Sequence, residues 1–251
     1  MIQTLNKHIK WRNDNGAIFI CDCKRLIDLK IPFKYKFFMN ELSKGVEKEK
    51  LNEEEKKVFA DFEKINLLSE LKIRLLGERD FERAMNILDN ELGKERVRDS
   101  AFLYKKFKKF PQFFIGIFLG KELVGVICGF PREDYLLISE IAVDLRFHGR
   151  GFGKRLVKTF EEEAKTKYNK INAGAQDKAI GFYESLGYKP FLLIQFKKKD
   201  YPMNEFEDLK IIKSCPGVIE AEVKSYGIKM LEKLRKKYPK ANFQYIFTKR
   251  I

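Results

Sequence analysis

The chain has 251 residues, and 44% of them are hydrophobic, which is ample for a buried core. Lysine and arginine number 51 against 36 aspartates and glutamates, and the resulting net charge of +15 favours an anionic ligand, surface or nucleic acid as a partner. Heavy use of lysine and glutamate is also typical of a heat-adapted, solvated surface, and we assign most of the charges to that role. No apolar stretch approaches the roughly 18 residues that cross a bilayer, and the first residues lack a signal-peptide pattern, so we expect a cytoplasmic protein without a membrane partner.

The cysteine and histidine content argues against a metal site. The four cysteines form no CxxC pair, and the chain holds two histidines. We expect reduced and mostly buried thiols at Cys21, Cys23, Cys128 and Cys215.

The first of three blocks covers residues 1–71. It contains the predicted strand GAIFICDC (residues 16–23, with the strand proper from 17) and helical patterns over 33–45 and 52–71. This order predicts a small winged-helix-like module, which loosely resembles the peptide-chaperone modules associated with peptide-modifying enzymes. We expect it to fold separately and to serve recognition or assembly, because it clusters no acid, base or nucleophile.

The second block, residues 72–196, alternates helices and strands as an α/β layer requires. Helices are predicted at 79–92, 98–110, 154–168 and 178–186. Strands are predicted at 72–76, 113–120, 122–130, 135–143, 171–176 and 189–196, with a hairpin turn at Gly120 and Lys121.

The third block, residues 197–251, is predicted as a strand-helix-strand extension. It opens with KKKDYPMNEFED (197–208), and apolar positions from 219 to 238 follow helical spacing, with Pro216 near the start. Phe243, Tyr245 and Phe247 alternate as in a strand. The block carries 14 Lys/Arg against 7 Asp/Glu. Its basic face fits an acidic acceptor or RNA, although a solvated helix face is the simpler interpretation.

The segment DLRFHGRGFGKRL (144–156) lies between a predicted strand and a predicted helix. Glycines let the backbone approach a ligand closely, and the first N–H groups and dipole of the helix favour an anion such as phosphate or pyrophosphate. The sequence lacks the GxxxxGK[ST] run of a P-loop and the downstream acidic residue of a dinucleotide fold.

Two linked motifs resemble the GNAT superfamily of acetyl-CoA-dependent N-acetyltransferases. ISEIAVDLRFHGRGFGKRLV is similar to its strand-loop-helix signature, and AQDKAIGFYESLGYKP to the helix and strand that follow. The resemblance covers about residues 72–196 and implies a GNAT-type mixed sheet flanked by helices, with acetyl-CoA as co-substrate. One departure is His148, which stands where the family usually has arginine or glutamine; Arg146 is a candidate for the missing guanidinium.

The resemblance also implies site residues. The backbone of Ile141, Ala142 and Val143 would pair with the pantetheine amides of the cofactor. Gln176 stands where family members often carry asparagine beside the cofactor, and Tyr183 matches the tyrosine that approaches the thioester sulfur. The pyrophosphate would be held by the loop residues His148, Gly149, Arg150, Gly151, Phe152, Gly153 and Lys154.

For catalysis, Tyr183 is the candidate general acid, because the departing thiolate has a pKa of about 8.5 and needs a proton. Its alternative role is that of a packed core tyrosine. Glu140 is a candidate base acting through a water; the alternative is a solvated or salt-bridged carboxylate. Strand alternation places Glu140 on the face opposite Val143, unless a bulge changes that parity.

The sequence therefore predicts an acyltransferase that acetylates a primary amine of a small molecule, peptide or protein by direct attack in a ternary complex. The alternative is an acyl-CoA-sensing binding protein whose N-terminal module contacts nucleic acid or peptide. Nucleic acid is not the favoured partner, and oligomer formation stays open.

Overall fold

The computed structural model describes residues 1–93, 99–196, 209–223 and 226–251. The chain forms two compact units. Unit 1 contains Met1–Cys128 and Glu140–Phe160, and unit 2 contains Gly129–Ser139 and Glu161–Ile251. Each unit combines strands with helices, so the predicted mixed α/β class is confirmed.

The N-terminal part of unit 1 contains a small antiparallel sheet and two helices. The elements are β1 (Ile2–Leu5), β2 (Ile9–Asp14), β3 (Ala17–Asp22), β4 (Ile27–Pro32), α1 (Lys36–Lys44), β5 (Val46–Glu47) and α2 (Glu53–Lys64). Strands β2, β3 and β4 pair in that order. The helices bury five apolar side chains in a shared core: Phe38, Met39, Leu42, Phe59 and Phe62.

The predicted strand at 17–23 and both helices are confirmed, but the helix does not continue to residue 71. Asn52 and Glu55 form a capping box at the start of α2, so the helix begins where its polar signal lies. It ends at Lys64, and Asn66 has φ +55, a left-handed conformation that ends a helix. The helical prediction was wrong after Lys64. Leu67 and Leu68 are apolar and fit the helical period of 3.6 as well as the strand period of two.

The chain continues with strands and helices in the predicted order, and three of these elements, β8, β9 and α5, have part of their residues in unit 2. The elements are β6 (Leu68–Leu75), α3 (Glu78–Leu92), α4 (Ser100–Lys109), β7 (Phe114–Leu119), β8 (Glu122–Pro131), β9 (Leu136–Val143) and α5 (Phe152–Ala164). Strands β5, β1, β6, β7 and β8 are neighbours in that order. Every residue of β7 is buried, which places the core of the unit around this strand. The hairpin turn at Gly120, with φ +60, is confirmed.

Unit 2 contains the C-terminal elements. They are β10 (Lys170–Gly174), α6 (Ile180–Glu184), β11 (Lys189–Phe196), β12 (Ile211–Cys215), β13 (Val218–Glu222), α7 (Ile228–Lys237) and β14 (Ala241–Arg250). Strand β10 is parallel to the first residues of β9 and antiparallel to β14, which also pairs with β11. The strand-helix-strand extension therefore contains one strand more than predicted before its helix.

The helical prediction over 219–238 was wrong in its first third. Residues 218–222 form β13, where Ile219 and Ala221 are buried with the period of two that a strand requires. Pro216 and Gly217 lie in the hairpin turn before it, with Gly217 at φ +80, and not in a first helical turn. The opening segment 197–208 lies outside the described residues.

All four cysteines are free thiols, but only Cys128 is buried. Cys21 is half-buried, and Cys23 and Cys215 are exposed, so the expectation of mostly buried thiols was wrong. Within the described part of the chain, no helix is long and apolar enough to span a membrane.

The predicted boundary at residue 71 falls inside β6, whose residues Leu68 and Glu70 pair with β1. The division into 1–71, 72–196 and 197–251, and the winged-helix-like character of the first segment, stay predictions. A boundary between α2 and β6, at residues 65–67, would leave every element whole.

Candidate functional site

The glycine-rich loop begins at the end of β9. The Asp144 amide donates to the Val124 carbonyl of β8 at 2.9 Å, which holds the loop entrance against the neighbouring strand. The Asp144 carboxylate then caps a short 3-10 turn, Leu145–Phe147, by accepting from the Arg146 amide at 3.0 Å. A capped turn directly after the strand fixes the direction in which the loop leaves it.

Two of the three glycines have backbone conformations that favour glycine. Gly149 has φ +77 and Gly151 has φ +74. A Cβ on Gly149 would meet no atom within 4 Å, and one on Gly151 would meet only a Lys44 carbon, at 3.9 Å. The requirement for glycine is therefore conformational, and the backbone on the open side of the loop stays accessible.

The loop and the first turn of α5 present a set of unpaired backbone donors. Within the described residues, no acceptor is found for the N–H groups of Gly149, Gly151, Phe152, Gly153 and Lys154. The first N–H groups of any helix lack intrahelical partners and carry the positive end of its dipole. The Arg150 N–H between them is bonded to the Phe147 carbonyl, and the five free donors, three of them glycines without Cβ atoms, form a cradle that fits a pyrophosphate.

The loop is anchored by buried aromatic and arginine side chains of unit 1. Phe147 and Phe152 are buried and stack with ring centroids 6.2 Å apart. Arg150 donates to the Leu5 carbonyl at 3.1 Å, and Arg155 donates to the Gly45 carbonyl at 2.7 Å. Burial lowers the pKa of both guanidinium groups. Arg150, predicted to bind the cofactor, thus has one of its donors turned to the protein.

His148 and Arg146 are both held by protein groups. The His148 Nε2 lies 2.5 Å from the Val143 carbonyl oxygen and 3.5 Å from a Glu91 carboxylate oxygen. Arg146 forms ion pairs with Asp144 at 2.5 Å and Glu122 at 2.9 Å. The structure therefore gives Arg146 two carboxylate partners, which weakens the idea that it replaces the missing guanidinium. A phosphate contact of His148 stays a prediction.

The arginine also sets the charge state of its partners. Hydrogen bonds from Arg146 lower the pKa of Asp144, although partial burial opposes the shift. Burial acts to raise the pKa of Glu122. The hydrogen bonds and charges of Lys7 and Arg146 outweigh burial, so the pKa is lowered. These carboxylates stay ionised at neutral pH and hold the base of the loop together.

Strand β9 extends well beyond its pairing with β10. The registered parallel pairs end at Ile138, and β9 continues for five residues, Ser139–Val143, with no further registered pair to β10. The Val143 carbonyl in this stretch contacts the His148 Nε2 at 2.5 Å, so pairing of the strand end with the amides of a pantetheine chain stays a prediction. Ala142 is buried, whereas Ile141 and Val143 are half-buried.

Glu140 stands on this same terminal part of β9 with a half-buried side chain. The parity of the strand places it with Ala142, as predicted, and opposite Val143. Whether it acts as a base stays a prediction.

Unit 2 contains the other two predicted site residues. Tyr183 lies on α6 and is 3% exposed. Its ring stacks on Phe247 at a centroid distance of 5.4 Å and meets Tyr188 at 5.6 Å and Phe182 at 5.2 Å. Burial raises the pKa of its hydroxyl, so the proton stays on the oxygen at neutral pH. That hydroxyl has no hydrogen-bond partner in the described part of the chain.

Gln176 is half-buried and lies directly before a 3-10 turn, Asp177–Ala179, where its carbonyl accepts from the Ala179 amide at 2.8 Å. Its side chain makes no hydrogen bond within the described residues, so it is available to a ligand.

Sequence reasoning missed a buried charged pair beside Tyr188. Lys249 donates to both carboxylate oxygens of Glu161 at 2.9 Å, and Glu161 is 7% exposed. The Tyr188 hydroxyl is buried without a partner among the described residues, and burial, followed by the charge of Glu161, raises its pKa. The only available sequence signal was Glu161 at a position of α5 that faces inward, between the buried Val157 and Ala164.

Comparison with known proteins identifies the central domain. Residues 80–188 match the model of the acetyltransferase (GNAT) family. The match covers less than half of the chain and shows that this segment is similar to GNAT acetyltransferases. No curated protein matches the sequence significantly.

Solved structures align with this chain at low sequence identity and low TM-score. A putative acetyltransferase from Pyrococcus horikoshii is 18% identical with a TM-score of 0.44, over 58% of this chain and 53% of that one. The alignment thus spans about half the length of that protein. The ribosomal-protein-S18-alanine N-acetyltransferase from Escherichia coli is 15% identical with a TM-score of 0.45, over 72% of this chain and 94% of that one. Naa50 from Arabidopsis thaliana, in complex with the bisubstrate analogue CoA-Ac-MVNAL, is 16% identical with a TM-score of 0.45. The alignment covers 72% of this chain and 99% of that one.

Within the described residues, no group of three or more histidine, cysteine, aspartate or glutamate side chains is placed to hold a metal ion.

Proposed function

We propose that this protein transfers the acetyl group of acetyl-CoA to a primary amine of a small molecule, peptide or protein. The observation that carries the proposal is the set of five unpaired backbone donors at the glycine-rich loop, inside the segment that matches the family. Backbone donors at a helix start suit the pyrophosphate of the co-substrate, and the end of β9, which extends beyond its register with β10, lies next to them in the chain.

In the proposed mechanism the acceptor amine attacks the thioester carbonyl carbon directly, and the carbon–sulfur bond breaks. Acetyl-CoA supplies the activated acyl group. Glu140, through a water, takes the proton that the amine must lose. Tyr183, whose hydroxyl is protonated at neutral pH, gives its proton to the sulfur as the carbon–sulfur bond breaks.

The first test is Gly151→Val. A β-branched residue at φ +74 is strained and turns the neighbouring N–H groups away from the ligand, so acetyl-CoA affinity measured by calorimetry should be lost. The matched control is Gly16→Val in the β2–β3 turn, where φ is +73 and no atom lies within 4 Å of the new Cβ. The control carries the same backbone strain and should keep full affinity. Unchanged affinity in folded Gly151→Val would refute the assignment of this loop.

The alternative of a non-catalytic acyl-CoA sensor is favoured by one observation. Tyr183 is packed between Phe247 and Tyr188, as a purely structural tyrosine would be. A sensor would bind acetyl-CoA at the same loop but transfer nothing. Incubation with labelled acetyl-CoA and a panel of amines, peptides and protein extracts separates the two, because the enzyme labels an acceptor and the sensor labels none.

A further inference from the structure

A second concave site lies elsewhere in unit 1 and has a strongly positive lining. It is a cavity of about 350 Å³ between β6, the first turns of α3 and the β7–β8 hairpin. We call it the basic pocket; its charged lining consists of Lys72, Arg74, Arg79, Asp80, Arg83 and Lys121. Five cations and one carboxylate thus face a space of the size that binds small ligands.

One of these guanidinium groups is fixed in advance. Arg74 lies flat on the Phe118 ring at 3.8 Å, and its Nη1 donates to Asp80 at 2.8 Å and to the Leu75 carbonyl at 2.9 Å. Its Nε and Nη2 have no acceptor in the described part of the chain. A held guanidinium with a free edge is preorganised for an anionic oxygen, because little side-chain freedom remains to be lost.

The carboxylate in the pocket, Asp80, already accepts hydrogen bonds from the protein. Burial acts to raise the pKa of Asp80. Hydrogen bonds from Arg74 and the Gly77 amide, together with the charge of Arg83, outweigh burial and lower this pKa. Asp80 also occupies the amide at the start of α3, so the pocket depends on side chains and not on a free helix end. It balances one positive charge out of five.

Of the remaining cations, Lys72 pairs with Glu70 at 2.7 Å, and three others have no ion-pair partner in the described part of the chain. Within the described residues, Arg79, Arg83 and Lys121 make no ion pair and no hydrogen bond. The other early carboxylates of α3 do not help, because Glu78 binds Tyr104 and Lys108, and Glu82 makes no ion pair. Two arginines four residues apart on one helix repel each other, which costs stability unless an anion lies between them.

This arrangement differs from the rest of the basic surface. On the helices of the N-terminal part, exposed lysines are paired at a spacing of three residues: Lys44 with Glu41, Lys56 with Glu53, and Lys64 with Asp61. A solvated, charge-balanced surface would show the same pattern at α3. The basic pocket instead gathers unbalanced charge into a concavity.

We propose that the basic pocket binds a compact, multiply charged phosphate compound of the size of a di- or triphosphate group. Arginine forks match phosphate oxygens with two parallel hydrogen bonds, and Arg74, Arg79 and Arg83 supply three of them around one cavity. The limited volume of this open concavity favours a small ligand over a nucleic-acid strand, which needs an extended basic track. The site does not depend on the proposed acetyl transfer.

The experiment is a calorimetric titration of the full chain with inorganic tripolyphosphate at 150 mM salt, in the presence of saturating acetyl-CoA. The proposal expects one tripolyphosphate per chain. Arg79→Gln with Arg83→Gln should weaken binding by about tenfold or more, as loss of hydrogen bonds between charged groups predicts. Lys121→Gln alone, on the hairpin and outside any helix, should weaken it several-fold.

The matched control is Lys105→Gln with Lys109→Gln. These lysines are exposed, stand four residues apart on α4 and lie outside the pocket, so the same charge is removed from the same unit. The control should keep tripolyphosphate affinity within about twofold if the effect is local and not a long-range one.

Four results would overturn the proposal. They are no binding by the wild-type chain, an equal loss in the control, displacement of tripolyphosphate by acetyl-CoA, and a single-stranded RNA that binds more tightly while covering the arginines of α3 and the lysines of α4. Binding of acetyl-CoA tests the glycine-rich loop separately from the basic pocket. Failure of the loop assignment is therefore distinguishable from failure of the pocket assignment.

Discussion

At the residue scale, Tyr183 combines a buried ring with a hydroxyl that no described residue binds. Its neighbour Tyr188 shares the same aromatic cluster and also lacks a hydrogen-bond partner, but its hydroxyl is completely enclosed. A buried phenol without a partner costs free energy, and both tyrosines share this cost. The two tyrosines therefore form a matched pair for testing catalysis against packing.

Tyr183→Phe should reduce kcat by roughly 100- to 10,000-fold, because a positioned proton donor acts as the thiolate develops. Acetyl-CoA affinity should not change, since the hydroxyl contributes little before the transition state. The free energy of unfolding should also stay nearly constant, because no hydrogen bond is lost. The measurements are kcat with the acceptor identified by the amine screen, calorimetric affinity and thermal unfolding.

Tyr188→Phe is the control in the same cluster. It keeps the ring contacts and removes an enclosed, unpartnered hydroxyl, so stability should be equal or higher and kcat should be unchanged. If Tyr183→Phe instead keeps the wild-type kcat, Tyr183 is a packing residue. That result would contradict its role as the general acid.

At the element scale, the path from β9 through the glycine-rich loop into α5 is organised by ion pairs at its base. Asp144 caps the turn and binds Arg146, which also binds Glu122. The folded-state pKa of Asp144 lies below the unfolded value of about 3.9. Its ionic contribution to stability is therefore present above that unfolded pKa and is lost as the pH falls through the folded pKa.

Asp144→Asn should accordingly destabilise the protein at pH 7 by up to about 1 kcal/mol, the range for partly exposed ion pairs. The difference from wild type should shrink as the pH is lowered towards roughly 3, where the wild-type carboxylate is losing its charge. Urea unfolding of both proteins at a series of pH values measures this difference in the free energy of unfolding. Asp14→Asn, at an exposed carboxylate with no ion pair within the described residues, should show a pH-independent difference. A constant gap for Asp144→Asn would contradict the ion-pair account.

The sequence predicts this path well, because its signals are local. Glycines at alternate positions, an apolar strand before them and a helical period after them each act within about ten residues. The partners of Arg150 and Arg155 could not be predicted, since the Leu5 and Gly45 carbonyls are more than a hundred positions away and any residue type supplies a carbonyl. The strand β13 was missed because VIEAEV fits the helical and the strand period equally well over so few residues.

At the scale of the whole molecule, the question is whether residues 1–66 form a separate domain or part of unit 1. The contacts favour the second view. Strand β1 pairs with β6 through Gln3–Glu70, Thr4–Ser69 and Leu5–Leu68. The two half-buried arginines of the glycine-rich loop and of α5, Arg150 and Arg155, have their acceptors in this segment as well.

A chain that begins at Leu67 would therefore lack the partner of one edge of β6 and would uncover Leu71, which is 3% exposed in the full chain. We expect it to lose cooperative thermal unfolding or to aggregate, because an unpaired apolar edge and two arginines without acceptors remain. A separately produced 1–66 fragment, added in trans, should restore the transition and acetyl-CoA binding together.

A point variant gives a second readout in case the truncated chain cannot be purified. Arg155→Met keeps the apolar stem but leaves the Gly45 carbonyl without its donor, which should lower the free energy of unfolding by about 1–3 kcal/mol. Arg12→Met, at an exposed arginine of β2, is the control and should change stability by less than about 0.5 kcal/mol. If the chain from Leu67 instead unfolds cooperatively and binds acetyl-CoA as the full chain does, residues 1–66 are a separate module, as the sequence predicted. In that case the carbonyls of Leu5 and Gly45 contribute nothing essential to the loop, and Arg155→Met should be as stable as its control.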